Sequence, residues 1–136
     1  MAKNLPTRRV EQNRYLDFKK VAENFQEAGE LAFEFGYYNA AGVLIIHSAI
    51  AFADAITIKF SSQKMKGDSH YDVIALLNNV LPPEKKSKRA LSHFNKLIDH
   101  KNLISYSGDI YSKSDIEKLM KHFGRFSEWA ITILEN

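Results

Sequence analysis

From about Arg9 to Phe35, apolar residues recur as Phe18, Val21, Ala22, Phe25, Ala28, Leu31, Ala32 and Phe35, a stripe at helical spacing with charged residues between its members. Gly36 supplies a helix stop. A second helix is predicted from about Tyr37 to about Lys64. Its apolar positions, Ala40, Ala41, Val43 to Ile46, Ala49 to Ala53, Ile56, Ile58 and Phe60, leave almost no polar side, so this helix must be surrounded by others. Gly67 closes that segment, and Ser69 followed by Asp72 opens a short third helix carrying Val73, Ile74, Leu76 and Leu77. Pro82 and Pro83 end it. A fourth helix, with Leu91, Phe94, Leu97 and Ile98 as its stripe, is predicted to reach about Ser105. After a turn at Gly108 and Asp109, Ser114 with Glu117 forms a capping box for a last helix bearing Ile116, Leu119, Met120, Phe123, Phe126, Ala130, Ile133 and Leu134. No useful run alternates with period two, so no sheet is expected. The pattern predicts an all-α, antiparallel up-and-down bundle of about five helices, one domain over 1–136 with residues 1–8 as a flexible leading segment.

Composition adds bounds to this picture. With 136 residues, 45% of them hydrophobic and 12% aromatic, the chain can build one substantial core. The absence of Cys excludes disulfides, thiolate zinc sites and cysteine nucleophiles, and fits a reducing compartment. The first residues show no apolar stretch behind their charges, so a cytoplasmic location is expected. Ala40 to Phe60 is long enough to suggest a membrane span, but it holds His47, Asp54 and Lys59, which a buried bundle helix tolerates better than a bilayer does. No membrane contact is expected. Nineteen basic against 16 acidic residues, a net charge of +3, lean slightly toward polyanionic partners.

Candidate chemistry is sparse. His47 and Asp54 share one side of the second helix two turns apart, with Ser48 beside the first, and such residues are more often hydrogen-bonded core groups than a site. His70 with Asp72, and His93, His100 and His122, lack the spacing of a helical metal site, so neither a metal nor a cofactor is expected. Gly-x-Ser-x-Gly, Gly-rich phosphate-loop and His-Glu-x-x-His motifs are absent. Basic residues cluster at Lys85, Lys86, Lys88 and Arg89, and again at Lys118, Lys121, His122 and Arg125, a ridge able to track phosphates. Glu117 and Glu128 beside that ridge favour a solvated helix side instead. The segment from Asp99 to Ser112 is the most informative. There Lys101 takes a position on the fourth helix's apolar stripe where Leu would be expected, so its ammonium must snorkel, find an anion or face a cleft between subunits.

This segment, together with Tyr37-Tyr38-Asn39-Ala40-Ala41 and Gly67-Asp68-Ser69-His70-Tyr71-Asp72, resembles a HEPN-type domain over roughly Phe35 to the C-terminus. The resemblance implies an up-and-down helical bundle, often a homodimer, of a kind found in bacterial or archaeal regulatory and defence systems. Members are described there as RNases, as toxins of toxin-antitoxin pairs and as partners of minimal nucleotidyltransferases. The superfamily's RNase motif is Arg, then a polar residue, then His after four to six intervening positions. Here Lys101 stands at the Arg position, Asn102 at the polar one and Tyr106 where the His would be. Lys offers a phosphate a point charge in place of a bidentate fork. Tyr, with a reference pKa of ~10 against ~6.5 for His, exchanges protons poorly at neutral pH.

Three functions follow as expectations. The leading one is a non-catalytic or weakly catalytic homodimer that binds RNA or a partner protein at Lys101, Asn102 and Tyr106, with His47, Asp54, His70 and His100 as polar support and Lys118, Lys121 and Arg125 facing phosphates. The second is a metal-independent ribonuclease using Lys101, Asn102 and either Tyr106 or His100. The third is a structural partner of a nucleotidyltransferase-like protein.

Overall fold

A computed structural model describes residues 5–67 and 70–136, so the proposed cap Ser69 and residues 1–4 lie outside the described residues. The helices are α1 (Tyr15–Glu34), α2 (Tyr38–Ser61), α3 (His70–Val80), α4 (Lys85–Asp99), α5 (Lys101–Tyr106) and α6 (Lys113–Glu135), with a 3-10 turn over Gln12–Arg14 ahead of α1. The all-α bundle read from the pattern is the fold observed.

The near absence of a polar side on α2 has its physical outcome: this helix packs against α1, α3, α4, α5 and α6 and is the hub of the bundle. It has the length and composition of a membrane span, yet most of it is buried inside the molecule. Ile45, Ile46, Phe52, Ile56 and Ile58 are fully enclosed. Each such side chain contributes about 1.5–3 kcal/mol by leaving water. Across the other helices, Phe94 on α4 packs on Phe126 on α6 with ring centroids 4.9 Å apart, and Phe52 on α2 packs on Phe123 at 6.3 Å. Gly36 sits at φ 81° in the turn between α1 and α2, a conformation that costs glycine little.

Four local expectations are corrected. The chain does form a sheet: β1 (Thr7–Arg9) pairs antiparallel with β2 (Gln63–Met65), with Thr7 opposite Met65 and Arg9 opposite Gln63. The leading segment is therefore paired from Thr7 onward, extended by Lys66 N–H donating to Pro6 O and Val10 N–H to Ser62 O. Three residues per strand carry too short an alternation to read from sequence. Second, α2 ends at Ser61, before Lys64, because Ser62 turns left-handed at φ 54° and sends the chain into β2. Third, the capping box of the last helix is Ser112 with Asp115, in place of Ser114 with Glu117. The Ser112 hydroxyl accepts from Asp115 N–H at 3.1 Å, and the Asp115 carboxylate accepts from Ser112 N–H at 2.9 Å.

The fourth correction shapes the site. The helix expected to run to Ser105 breaks at His100, whose N–H bonds back three residues to Leu97 O at 3.1 Å. α5 leaves the break as a separate helix of six residues.

Candidate functional site

α5 is too short to be stable by itself and is held from below. Its one buried side chain, Ile104, enters the bundle over Gly42 of α2. A Cβ at Gly42 would collide with the tip of Ile104, so the glycine is what lets α5 approach α2 this closely. Asn39, in the first turn of α2, clamps the connector after α5. Its amide Nδ2 donates to Asp109 O at 2.8 Å and, more weakly, to Ile104 O at 3.4 Å, while its Oδ1 accepts from Tyr111 N–H at 2.8 Å. Asn39 stands inside the Tyr-Tyr-x-Ala-Ala opening noted in the sequence, but its role there was not legible, because its partners lie far along the chain.

The break at His100 takes Lys101 off the stripe of α4. Lys101 is half-buried at a cleft of about 80 Å³ that it lines with Asn102, Ile98 and Asp99 of the α4–α5 junction and His70 and Tyr71 of α3. The Tyr71 hydroxyl donates to Asp99 Oδ1 at 2.7 Å and closes one wall. This bond, with a smaller effect of desolvation, raises the Tyr71 pKa above its ordinary value. His47, on α2, lies within electrostatic reach of the Lys101 ammonium. Burial first, and then the Lys101 charge, hold the imidazole below its ordinary pKa, so it is neutral at pH 7. Its ring packs at a tilt on Phe25.

Of the residues expected to act together, Lys101, Asn102 and His70 converge on this cleft, His47 lies within electrostatic reach of Lys101 without lining it, and Tyr106, Asp54 and His100 stand apart. Five residues along a helix turn the side chain by about 140°, so Tyr106 projects away from Lys101 and is 81% exposed. Asp54 is a buried structural acid. It pairs with Lys64 at 3.4 Å, and desolvation, only partly offset by Lys64, pushes its pKa up to about 6. His100 turns toward the connector ahead of α6, where its Nδ1 shares a 2.8 Å hydrogen bond with the Tyr111 hydroxyl.

The edge formed by α5 and its connector is apolar. Leu103, Tyr106 and Ile110 are all exposed, Ile110 at 93%, and Asn39 ties this edge to the start of α2, where Phe35 and Tyr37 are exposed as well. On the far side of α4, the ridge of Lys118, Lys121 and Arg125 lies exposed on α6, facing a second row of cations on α4. Between the two rows His93 Nδ1 meets His122 Nδ1 at 2.9 Å. Sequence spacing gave no sign of this pair, since its members belong to different helices. Among the described residues no group of three or more His, Cys, Asp or Glu is placed to hold a metal ion.

The family model described as the HEPN domain matches residues 15–134. Neither the curated proteins nor the solved structures give a match to this chain. With the bundle, the hub helix and the α4–α5 junction in place, the match spans nearly the whole described fold, and the chain belongs to the HEPN domain family.

Proposed function

We propose that the protein is a self-associating RNA-binding module, in which the α5 edges of two copies meet and bring their Lys101 clefts side by side. One observation carries this reading: α5 and its connector have an exposed apolar side, with Leu103, Tyr106 and Ile110, and α5 has a polar side, with Lys101 and Asn102 at a cleft. An apolar edge of this kind gains by being covered, and covering it by a second copy pairs two cationic clefts. Lys101 and Asn102 supply a charge and an amide to a phosphodiester, while Tyr106, turned away, supplies no proton transfer to it.

Sedimentation analysis combined with single-stranded RNA binding tests the reading. Wild type is expected to be dimeric, Tyr106→Asp with Ile110→Asp monomeric, and Lys101→Ala dimeric but about tenfold weaker for RNA. RNA binding should weaken steeply as salt rises while the apolar interface holds. A monomeric wild type, or RNA affinity unchanged in Lys101→Ala, overturns the proposal.

A ribonuclease reading is favoured by one feature, the His47 imidazole held below its ordinary pKa by burial and by the charge of Lys101 within electrostatic reach. In that reading His47 takes the proton from a 2′-hydroxyl whose phosphate Lys101 holds. RNA cleavage by the wild type that disappears in His47→Asn would support it, and intact RNA after long incubation would refute it.

A further inference from the structure

The groove between α4 and α6 is lined on both sides by cations. α4 contributes Lys86, Arg89 and Lys96, and α6 contributes Lys118 and Arg125, with Lys121 near enough for its charge to act on both histidines of the groove, all six exposed. None of the six forms an ion pair among the described residues. The carboxylates along the groove are Asp99, Asp115 and Glu128. Asp115 is engaged in the helix cap and Asp99 in its bond with Tyr71. A chain with a net charge of only +3 has thus gathered six cations against three carboxylates along one groove. At one end of the groove Trp129 lies half-buried beside Arg89 and Arg125, a flat aromatic surface next to two guanidinium groups. At the other end the groove reaches Asp99, which also lines the Lys101 cleft, so the two depressions are neighbours.

At the centre stands the His93–His122 pair. A hydrogen bond between two Nδ1 atoms requires a proton on one and a lone pair on the other. The pair accommodates one added proton, which strengthens the bond. A second would set two N–H groups against each other and break it. In the free protein, burial comes first in holding both imidazoles below their ordinary pKa. The neighbouring cations add to this: Arg125, Lys96 and Lys121 for His93, and Lys96 and Lys121 for His122, which also feels His93 and His100. The other elements packed here spend their titratable groups elsewhere. The α5–α6 connector presents Tyr111, already bonded to His100, while on α2 Asp54 faces Lys64 and Lys59 faces the carbonyls ending α6.

We propose that the α4–α6 groove is a second RNA-binding surface, a track for a single strand whose phosphates lie along the two cation rows with a base on Trp129, and that the His93–His122 pair takes up one proton from solvent as the strand binds. The inference rests on the RNA-binding reading above and extends it to a different surface. Charge complementarity selects a polyanion, and an aromatic platform beside two arginines selects one that carries bases. Phosphates in the groove offset the cations that oppose protonation, so binding and proton uptake favour one another.

The chain has a single Trp, and its emission therefore reports on this groove alone. Titrating the full chain with a 12-nucleotide oligouridylate is expected to quench Trp129. Affinity should be about tenfold tighter at pH 5.5 than at pH 7.5, the change that an average uptake of about half a proton across those two pH units gives. Arg89→Ala with Arg125→Ala should weaken this binding at least fivefold, and Lys101→Ala should leave the quench in place. His93→Asn with His122→Asn should retain binding at pH 7.5 and lose the pH dependence. Should that variant fold poorly, NMR titration of the wild-type imidazoles decides the matter, since their pKa values must rise when the oligouridylate is bound. RNA binding without Trp129 quenching, or without imidazole pKa change, overturns the groove while leaving the Lys101 reading intact. Absence of any RNA binding overturns both. Equal quenching and equal pH dependence with polyglutamate overturn the assignment to RNA.

Discussion

Asp54 is the residue whose environment most opposes its charge. A carboxyl with an ordinary pKa of 3.8 that rises to about 6 on burial favours the folded state when protonated. Its contribution is therefore fully present below about pH 4 and is lost as pH rises through about 6. Asp54→Asn should raise stability at pH 7.5 by about 1–3 kcal/mol, with the gain disappearing near pH 4, as urea denaturation at the two pH values would read. A variant less stable than wild type at pH 7.5 would mean that the Lys64 partnership outweighs desolvation. His47 has the opposite sign. It is a base held neutral, so its share of stability is present above its ordinary pKa and fades in acid. Sequence alone paired these two residues by their spacing, and that geometry is real. What spacing could not supply is which neighbour each meets: Lys64 arrives from the ribbon and Lys101 from the start of α5.

At the scale of elements, α5 is where fold and proposed function are joined. Its position depends on Gly42 beneath Ile104 and on Asn39 beneath the connector. Gly42→Ala should cost about 1–3 kcal/mol by overpacking, and Asn39→Ala a similar amount through its lost hydrogen bonds. Both are expected to leave the helical circular dichroism signal largely intact while reducing self-association, because they displace α5 and spare the other helices. Retention of full dimerisation in both variants would show that the apolar edge does not need its anchors. The long helices were legible because their apolar stripes are local and periodic. The break at His100 was not, since Leu97, Ile98, Lys101 and Ile104 also suit an unbroken helix, and only packing on Gly42 decides between them. The His93–His122 pair and the Asn39 clamp escaped for a related reason, each being an encounter between helices that a one-dimensional pattern does not order.

For the molecule as a whole, charge and apolar surface are segregated around α4: a cationic groove toward α6, a small polar cleft toward α3, and an apolar edge beyond the break. The all-helical class and the surrounded α2 were legible from composition and period, and the family match over residues 15–134 agrees with the resemblance seen in the α4–α5 segment. The ribbon of β1 and β2 was not, and it has a kinetic consequence. It fastens the chain ahead of α1 to the chain beyond α2, a contact that can close only after the two helices have packed as a hairpin. A late-forming fastening retards escape from the native state more than it speeds arrival there. Removing residues 1–9 should accordingly raise the unfolding rate several-fold and leave the refolding rate nearly unchanged in stopped-flow measurements; slowed refolding would instead place the ribbon in the folding nucleus. Two strands of three residues each would then govern how long the folded state persists.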